Sequence, residues 1–366
     1  HRDLHSFPTR RSSDLIKGNN NFMEKLKKLN IEEIIKNYNF KAFFFSYQRK
    51  RSAMEEKDES NISLIIQESE KNKEKERNIE QGQITKLTTF HGQDSLDEEL
   101  DPKFIPDKIS LCPLKDDNIN FILPKKVLSS DINQWELIKW KKFENIKIFL
   151  GGAKPDIDNI RQGEYIGDCY FLSALGSLCD KKYYLKNMIK VVKRGPNKKI
   201  YSVKLNINGK WKYVLIDNYL PFIPDNNENN NFCFASSFKK ELWVSLFEKA
   251  WAKINGCYAR IGCGGYCNEA FDVLTGAHTE LIKISNINSE MKEKVWNKLK
   301  HSKKNHYEIC SGTRRFGLFE NVGLISNHAY SIINIYELTY EDQDLRLIKL
   351  RNPWGEKEFN GDWSDK

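Results

Sequence analysis

The chain has 366 residues, enough for two domains of ordinary size, and is 39% hydrophobic with 21 Phe, 15 Tyr and 8 Trp to build a core. Its net charge of +9 comes from 59 basic and 50 acidic residues interleaved along the chain, the pattern of a solvated surface and not of a nucleic-acid interface. No run approaches the roughly 18 consecutive apolar residues of a membrane span, and eight cysteines spread through a long, aromatic-rich chain exclude a small disulfide scaffold and suit a reduced, cytoplasmic setting.

The first fifteen residues, HRDLHSFPTRRSSDL, match the conceptual translation of a sequencing-library adapter and are set aside from fold reasoning. The natural start is then Met23 or is lost. Residues 16–97 read as a polar extension or linker rich in Lys, Glu and Asn, without chemistry of its own. Within it, residues 23–47 carry helical spacing (Leu26, Leu29, Ile31, Ile34, Ile35) and then a cluster of Phe43, Phe44 and Phe45. From about residue 98 the texture becomes globular.

The run QGEYIGDCYFLSAL, residues 162–175, puts Cys169 after a Gly-Asp turn at the head of an apolar helix predicted over 169–178. Backbone N–H groups at a helix N-terminus stabilise an anion, so a thiol there is placed to become a nucleophile. A structural cysteine needs no such place, but many helices begin near a glycine, and position alone does not decide. Strands are predicted over 199–205 and 210–217, the second closed by Leu220 and Pro221. Residues 241–255 read as an amphipathic helix with Leu242, Leu246, Ala250 and Ile254 on one stripe and Trp243, Phe247 and Trp251 beside it. Gly256 and the glycines at 262, 264 and 265 then mark a hinge. Cys257, Cys263 and Cys267 lack paired zinc-ligand spacing, and no histidine follows until His278.

A strand over 327–335 begins at His328, and another over 345–352 ends at Asn352, with a turn at 339–343. Centred on residue 340, a hairpin sets His328 and Asn352, each twelve residues away, across from one another, facing one side if no bulge intervenes. The Asn amide oxygen would accept from Nδ1–H, leaving Nε2 for a thiol. A lone histidine is most often a satisfied sheet residue; a His, an Asn and a helix-heading Cys together argue for a site.

These residues also carry a resemblance. QGEYIGDCYFLSAL, SNHAYSI and LRNPWGEKEFNGDWSD are similar to three blocks of the calpain family of papain-like cysteine proteases, supported by WKYVLIDNYLP, ELWVSLFEKAWAKINGCYA and GGYCNEAFDVLTGAHTE in the same order. The resemblance implies an α+β, two-lobed papain-like core, with a helical first lobe over 98–258 and a β-rich second lobe over 259–366 that stops short at Lys366, further regulatory domains lying beyond. It implies a calcium-dependent intracellular endopeptidase acting on protein substrates through a thioester. Cys169 would be the nucleophile, His328 the general base and Asn352 its orienter, with Trp354 covering the His–Asn bond and Gln162 joining the Cys169 N–H in an oxyanion hole. Calcium ligands would be Glu241 in the first lobe and Glu358 and Asp365 in the second. Three departures stand out: Gln162 lies one residue further from the cysteine than the family spacing, Asn159 stands where the family has a calcium-binding aspartate, and Asn327 where a glycine precedes the histidine. A calpain-like binding or scaffold protein that does not cleave, or a transglutaminase-like acyl transferase, are the alternatives; the intact Cys-His-Asn set disfavours the first, and the Asn-Pro-Trp ending the second.

Overall fold

Apolar periodicity sets most of the secondary structure. The computed structural model describes residues 40–47, 101, 103–111, 138–144, 146–151, 154–194, 198–224, 231–239, 241–284, 288–313, 323–340, 343–355, 359–360 and 364. The adapter-like start, most of the polar extension, Cys112, Glu358 and Asp365 lie outside them.

The cysteine-bearing part begins with α1 (Lys108–Leu111), β2 (Lys139–Lys142), a 3-10 turn at Ile157–Asn159 and β3 (Ile160–Arg161), after an upstream strand β1 (Phe40–Tyr47). Then come α2 (Cys169–Ser177), α3 (Tyr184–Met188) and the meander β4 (Ile189–Arg194), β5 (Lys198–Ile207) and β6 (Lys210–Asp217). Next are β7 (Tyr219–Ile223), β8 (Asn231–Phe232), β9 (Ser236–Ser237), α4 (Trp243–Asn255), α5 (Tyr258–Gly262) and α6 (Cys267–Thr275). The remainder is β10 (His278–Lys283), α7 (Ser289–Lys304), β11 (Glu308–Thr313), β12 (Ala329–Tyr340) and β13 (Gln343–Arg351). Among the described residues four sheets result, the largest ordered β10-β1-β11-β12-β13, with β4-β5-β6, β2-β7-β8 and the pair β3-β9.

The helix expected to be amphipathic is buried nearly all round. In α4 every residue from Trp243 to Ala252 is inside, including Glu248 and Lys249. Phe171 of α2 stacks on Trp251 at 5.2 Å and 4°, and each such ring removes enough apolar surface to stabilise the fold by about 2–3 kcal/mol. Lys249 forms an ion pair with Asp217 and donates to Tyr219 O at 2.6 Å, with the Trp140 ring 5.3 Å from its Nζ.

Two expectations change. Phe43, Phe44 and Phe45 fall in strand β1, which lies between β10 and β11 and pairs antiparallel with both; an aromatic run suits a strand better than the helical pattern before it suggested. The expected stop at Leu220 and Pro221 is instead the middle of β7, where Pro221 pairs opposite Trp140. After β1 the chain returns to the five-stranded sheet at β10, after Gly276, and α6, which follows the glycine-rich run, packs on α2 and β5.

Candidate active site

Cys169 is the first residue of α2. Asp168 ahead of it caps the helix through its carbonyl, which accepts from Phe171 N–H at 2.9 Å and Leu172 N–H at 3.1 Å, while its side chain makes no cap bond. Gly167 admits a close approach, its N–H reaching Gly262 O at 2.9 Å, where an added Cβ would also stand 2.9 Å from that oxygen. The sulfur is half-buried, and the Ala329 N–H, one residue past His328, points toward it. Burial pushes this thiol up to about 12, against the help of that N–H.

His328 is buried just ahead of β12. Its Nε2 meets Asn352 Oδ1 at 2.9 Å. The same oxygen accepts from Trp354 N–H at 3.0 Å. An atom that accepts from a backbone N–H is the amide oxygen, so the imidazole must donate from Nε2, and the neutral ring keeps its lone pair on Nδ1. This reverses the expected assignment of the two ring nitrogens. Tyr330 packs edge-on at 5.0 Å and 89°, and Trp354 at 5.1 Å and 66°. Inside these rings the charged form is poorly solvated, and His328 is lowered to about 4, burial outweighing the Asn352 bond. No thiol–imidazole hydrogen bond forms among the described residues.

The hairpin that brings His328 and Asn352 together is not centred on residue 340. Thr339 pairs with Asp344 and Asn334 with Lys349, and then the register shifts so that Ile332 pairs with Leu350 and Ser331 with Arg351. Ile333 is the extra residue of a bulge. Extended past its last pair, the shifted register sets His328 opposite Trp354, two residues from Asn352 and on its face; the unshifted one would have turned them apart. Asn327, at φ +52, adopts the left-handed conformation that explains why Asn or Gly is suited to the position before the histidine.

Gln162 is buried. Its Nε2 donates to Ile166 O at 2.9 Å, its Oε1 has no partner, and its backbone N–H reaches Pro353 O at 2.8 Å. One amide N–H is thus already taken by the loop, and the link to Pro353 runs next to Trp354.

Glu241 is buried as well. Leu150 N–H donates to its Oε1 at 2.6 Å, and Asn159 Nδ2 and Trp243 Nε1 each to its Oε2 at 3.1 Å. As arranged, these residues do not offer calcium an oxygen shell, and no group of three or more His, Cys, Asp or Glu able to hold a metal occurs among the described residues. The seven described cysteines are all free.

Two features escaped the sequence reading. Thr313, on β11, accepts from His328 N–H at 2.9 Å and donates to Ile325 O at 2.6 Å, holding the histidine backbone from a strand whose pairing no local pattern reveals. Asp168 and Glu248 form a carboxyl pair, fully buried behind Cys169; both are raised, chiefly by burial, Asp168 to about 7 and Glu248 well above its ordinary value. An acid inside an otherwise apolar run next to the cysteine was the available signal.

Against known families, residues 100–366 match the model described as calpain family cysteine protease. The chain is 33% identical over 239 residues to the mouse (Mus musculus) calpain-1 catalytic subunit, covering 62% of this chain and 32% of that one. It is 33% identical over 248 residues to human (Homo sapiens) calpain-9, covering 62% and 33%. With a calpain-type cysteine protease of Oryza sativa subsp. japonica it shares 30% over 272 residues, covering 72% and 12%. The chain therefore spans a third or less of the length of these relatives.

Proposed function

The chain belongs to the calpain family of cysteine proteases, and from that premise we propose that it is an endopeptidase using Cys169, His328 and Asn352. The observation that carries this reading is the buried His328–Asn352 bond, 2.9 Å long, with its acceptor oriented by Trp354 N–H, on the strand whose next N–H points at the Cys169 sulfur.

In the proposed reaction the Cys169 thiol gives its proton to His328 Nδ1 as the sulfur attacks the scissile carbonyl carbon. The tetrahedral oxyanion is met by the Cys169 N–H, which as the first helical residue lacks an acceptor within its own helix. His328 passes the proton to the leaving amine and the C–N bond breaks. Water, losing a proton to His328, then attacks the thioester and releases the acid and the thiol. Asn352 holds the ring through each transfer, and Trp354 and Tyr330 keep water from the bond. Protein substrates follow from the family.

Calcium control, which the resemblance implies, rests in this reading on Glu358 and Asp365 and on further domains, and no step is routed through the ion. Among the described residues no helix is long and apolar enough to cross a membrane; the cytoplasmic setting we propose rests on the seven free cysteines.

A second reading has an observation of its own: with the thiol raised to about 12 and the imidazole lowered to about 4, the pair is neutral on both sides. A catalytically weak calpain-like binding protein would look the same. Labelling by a thiol electrophile of the protease-inhibitor type separates the two. Stoichiometric modification at Cys169, together with casein hydrolysis lost in Cys169→Ala, supports the protease. An intact chain that neither labels at Cys169 nor cleaves, with or without calcium, overturns it.

A further inference from the structure

Asn159 and Glu241 occupy the positions where the resemblance sets a first-lobe calcium site, yet they present a finished hydrogen-bond cluster. A buried carboxylate must be compensated, because leaving it bare costs several kcal/mol. A cation is one compensation; a ring of N–H donors is another. Glu241, only 5% exposed, has the second kind: Leu150 N–H on one oxygen and Asn159 Nδ2 and Trp243 Nε1 on the other, with Ser237 Oγ at 3.5 Å. The amide face that Asn159 turns to Glu241 has to be its NH₂, since an oxygen 3.1 Å from a carboxylate would be repelled. That same face would repel a calcium ion. The adjacent carboxylate does not take over, because Asp158 points outward and pairs with Arg351 Nε at 3.1 Å.

We propose that this cluster is a cation-free latch, in which the Asn159 amide stands in for calcium and fixes the segment leading to Cys169 against the start of α4 whether or not the ion is present. Asn159 O also accepts from Phe238 N–H at 3.0 Å, so the residue holds the β9 side with its carbonyl and the α4 side with its amide. The inference builds on the calpain-type reading, but its test reads ion binding and not hydrolysis, so either can fail alone.

Terbium, which seeks the same oxygen ligands as calcium, is the probe, and the indole of Trp243 beside Glu241 is its sensitiser. In the full chain, indole-sensitised terbium emission should be the same in wild type and Glu241→Gln, any signal then coming from elsewhere. Asn159→Asp, which replaces the donor by a carboxylate, should raise the emission severalfold and make the melting temperature rise with calcium. Emission in the wild type that is lost in Glu241→Gln overturns the proposal, as does an Asn159→Asp protein that gains none. Should the variants fail to fold, hydrogen exchange on the wild type decides: the Leu150 amide should exchange at one rate with and without millimolar calcium, and faster exchange on adding calcium overturns the latch.

Discussion

His328 stays neutral in the folded chain until the pH falls to about 4, while in the unfolded chain it takes up a proton near its ordinary 6.5. Between those values the unfolded state holds more protons, so stability falls as the pH drops from 6.5 to 4, by about 3 kcal/mol in all. Asp168 works in the opposite sense. Held near 7 against an ordinary 3.8, it carries a proton in the folded chain that the unfolded chain has released. Its contribution is complete below about 4 and is lost as the pH rises to 7. The two slopes oppose one another over one range, but Glu248, raised by the same burial, adds to the Asp168 side, so wild-type stability should fall as the pH rises there. Urea midpoints measured from pH 4 to 7 should fall with rising pH in His328→Gln and rise with it in Glu248→Gln, where the amide donates to an ionised Asp168. Parallel curves for all three proteins would refute the assignment. Thr313 offers a separate check. Thr313→Val leaves the His328 N–H and Ile325 O without their side-chain partner and should cost about 1–3 kcal/mol, with kcat falling more than KM rises. The sequence named His328 and Asn352 because residue type and chemistry are local. It misassigned the ring nitrogens because which of them faces Asn352 depends on how the His328 ring is turned, which is visible only in the folded chain.

At the scale of elements, the bulge at Ile333 absorbs the one residue that would otherwise put the hairpin out of register at the site. A strand alternates faces with period two, so one extra residue returns His328 to the face of Asn352. Deleting Ile333 would leave a regular ladder with Ile332 still opposite Leu350 and His328 still on the face of Asn352, so peptide hydrolysis should persist; its loss would show that the bulge itself, and not the register beyond it, positions the histidine. Helix α4 makes the complementary point. Its apolar stripe was legible, but Glu248 and Lys249, which lie off that stripe, are inside as well, each with a partner on a distant segment. Lys249→Met would strand the buried Asp217 carboxylate and should lower stability by about 3–5 kcal/mol, measured by urea unfolding. Strand boundaries such as Lys210–Asp217 were read directly, since alternation is a local property. The bulge was not, because it is a relation between two strands.

Across the whole molecule, what counts is how the thiol-bearing part meets the part carrying His328 and Asn352. Helix α2 packs on β11 and β12, with Ala329 and Cys310 in the same apolar core as Phe171 and Leu175, and polar contacts add to this. Ser331 Oγ donates to Ser173 O in α2 at 2.7 Å, Gln162 N–H reaches Pro353 O, and Arg351 binds its neighbour's Asn352 O at 2.5 Å. The same guanidinium donates to Asp158 O at 3.1 Å and approaches Ile160 O at 3.5 Å. Arg351 is thus the side chain that grips both the backbone of the orienting asparagine and the segment running into the cysteine. None of this was readable in advance: an arginine at the end of a strand looks like a solvated charge until the fold brings residues 158 and 160 beside it. Removing that grip should misalign the two halves without dismantling either, and a misplacement of about 1 Å can cost about a hundredfold in rate. Arg351→Gln should therefore lower kcat/KM by about ten- to a hundredfold, while alkylation of Cys169 by a small electrophile changes less than about threefold and the melting temperature moves only slightly, since the Asp158 carboxylate it pairs with is largely solvated and such a pair is worth little. If hydrolysis and alkylation instead fall together with the melting temperature, Arg351 supports the fold as a whole and not the alignment of its two halves.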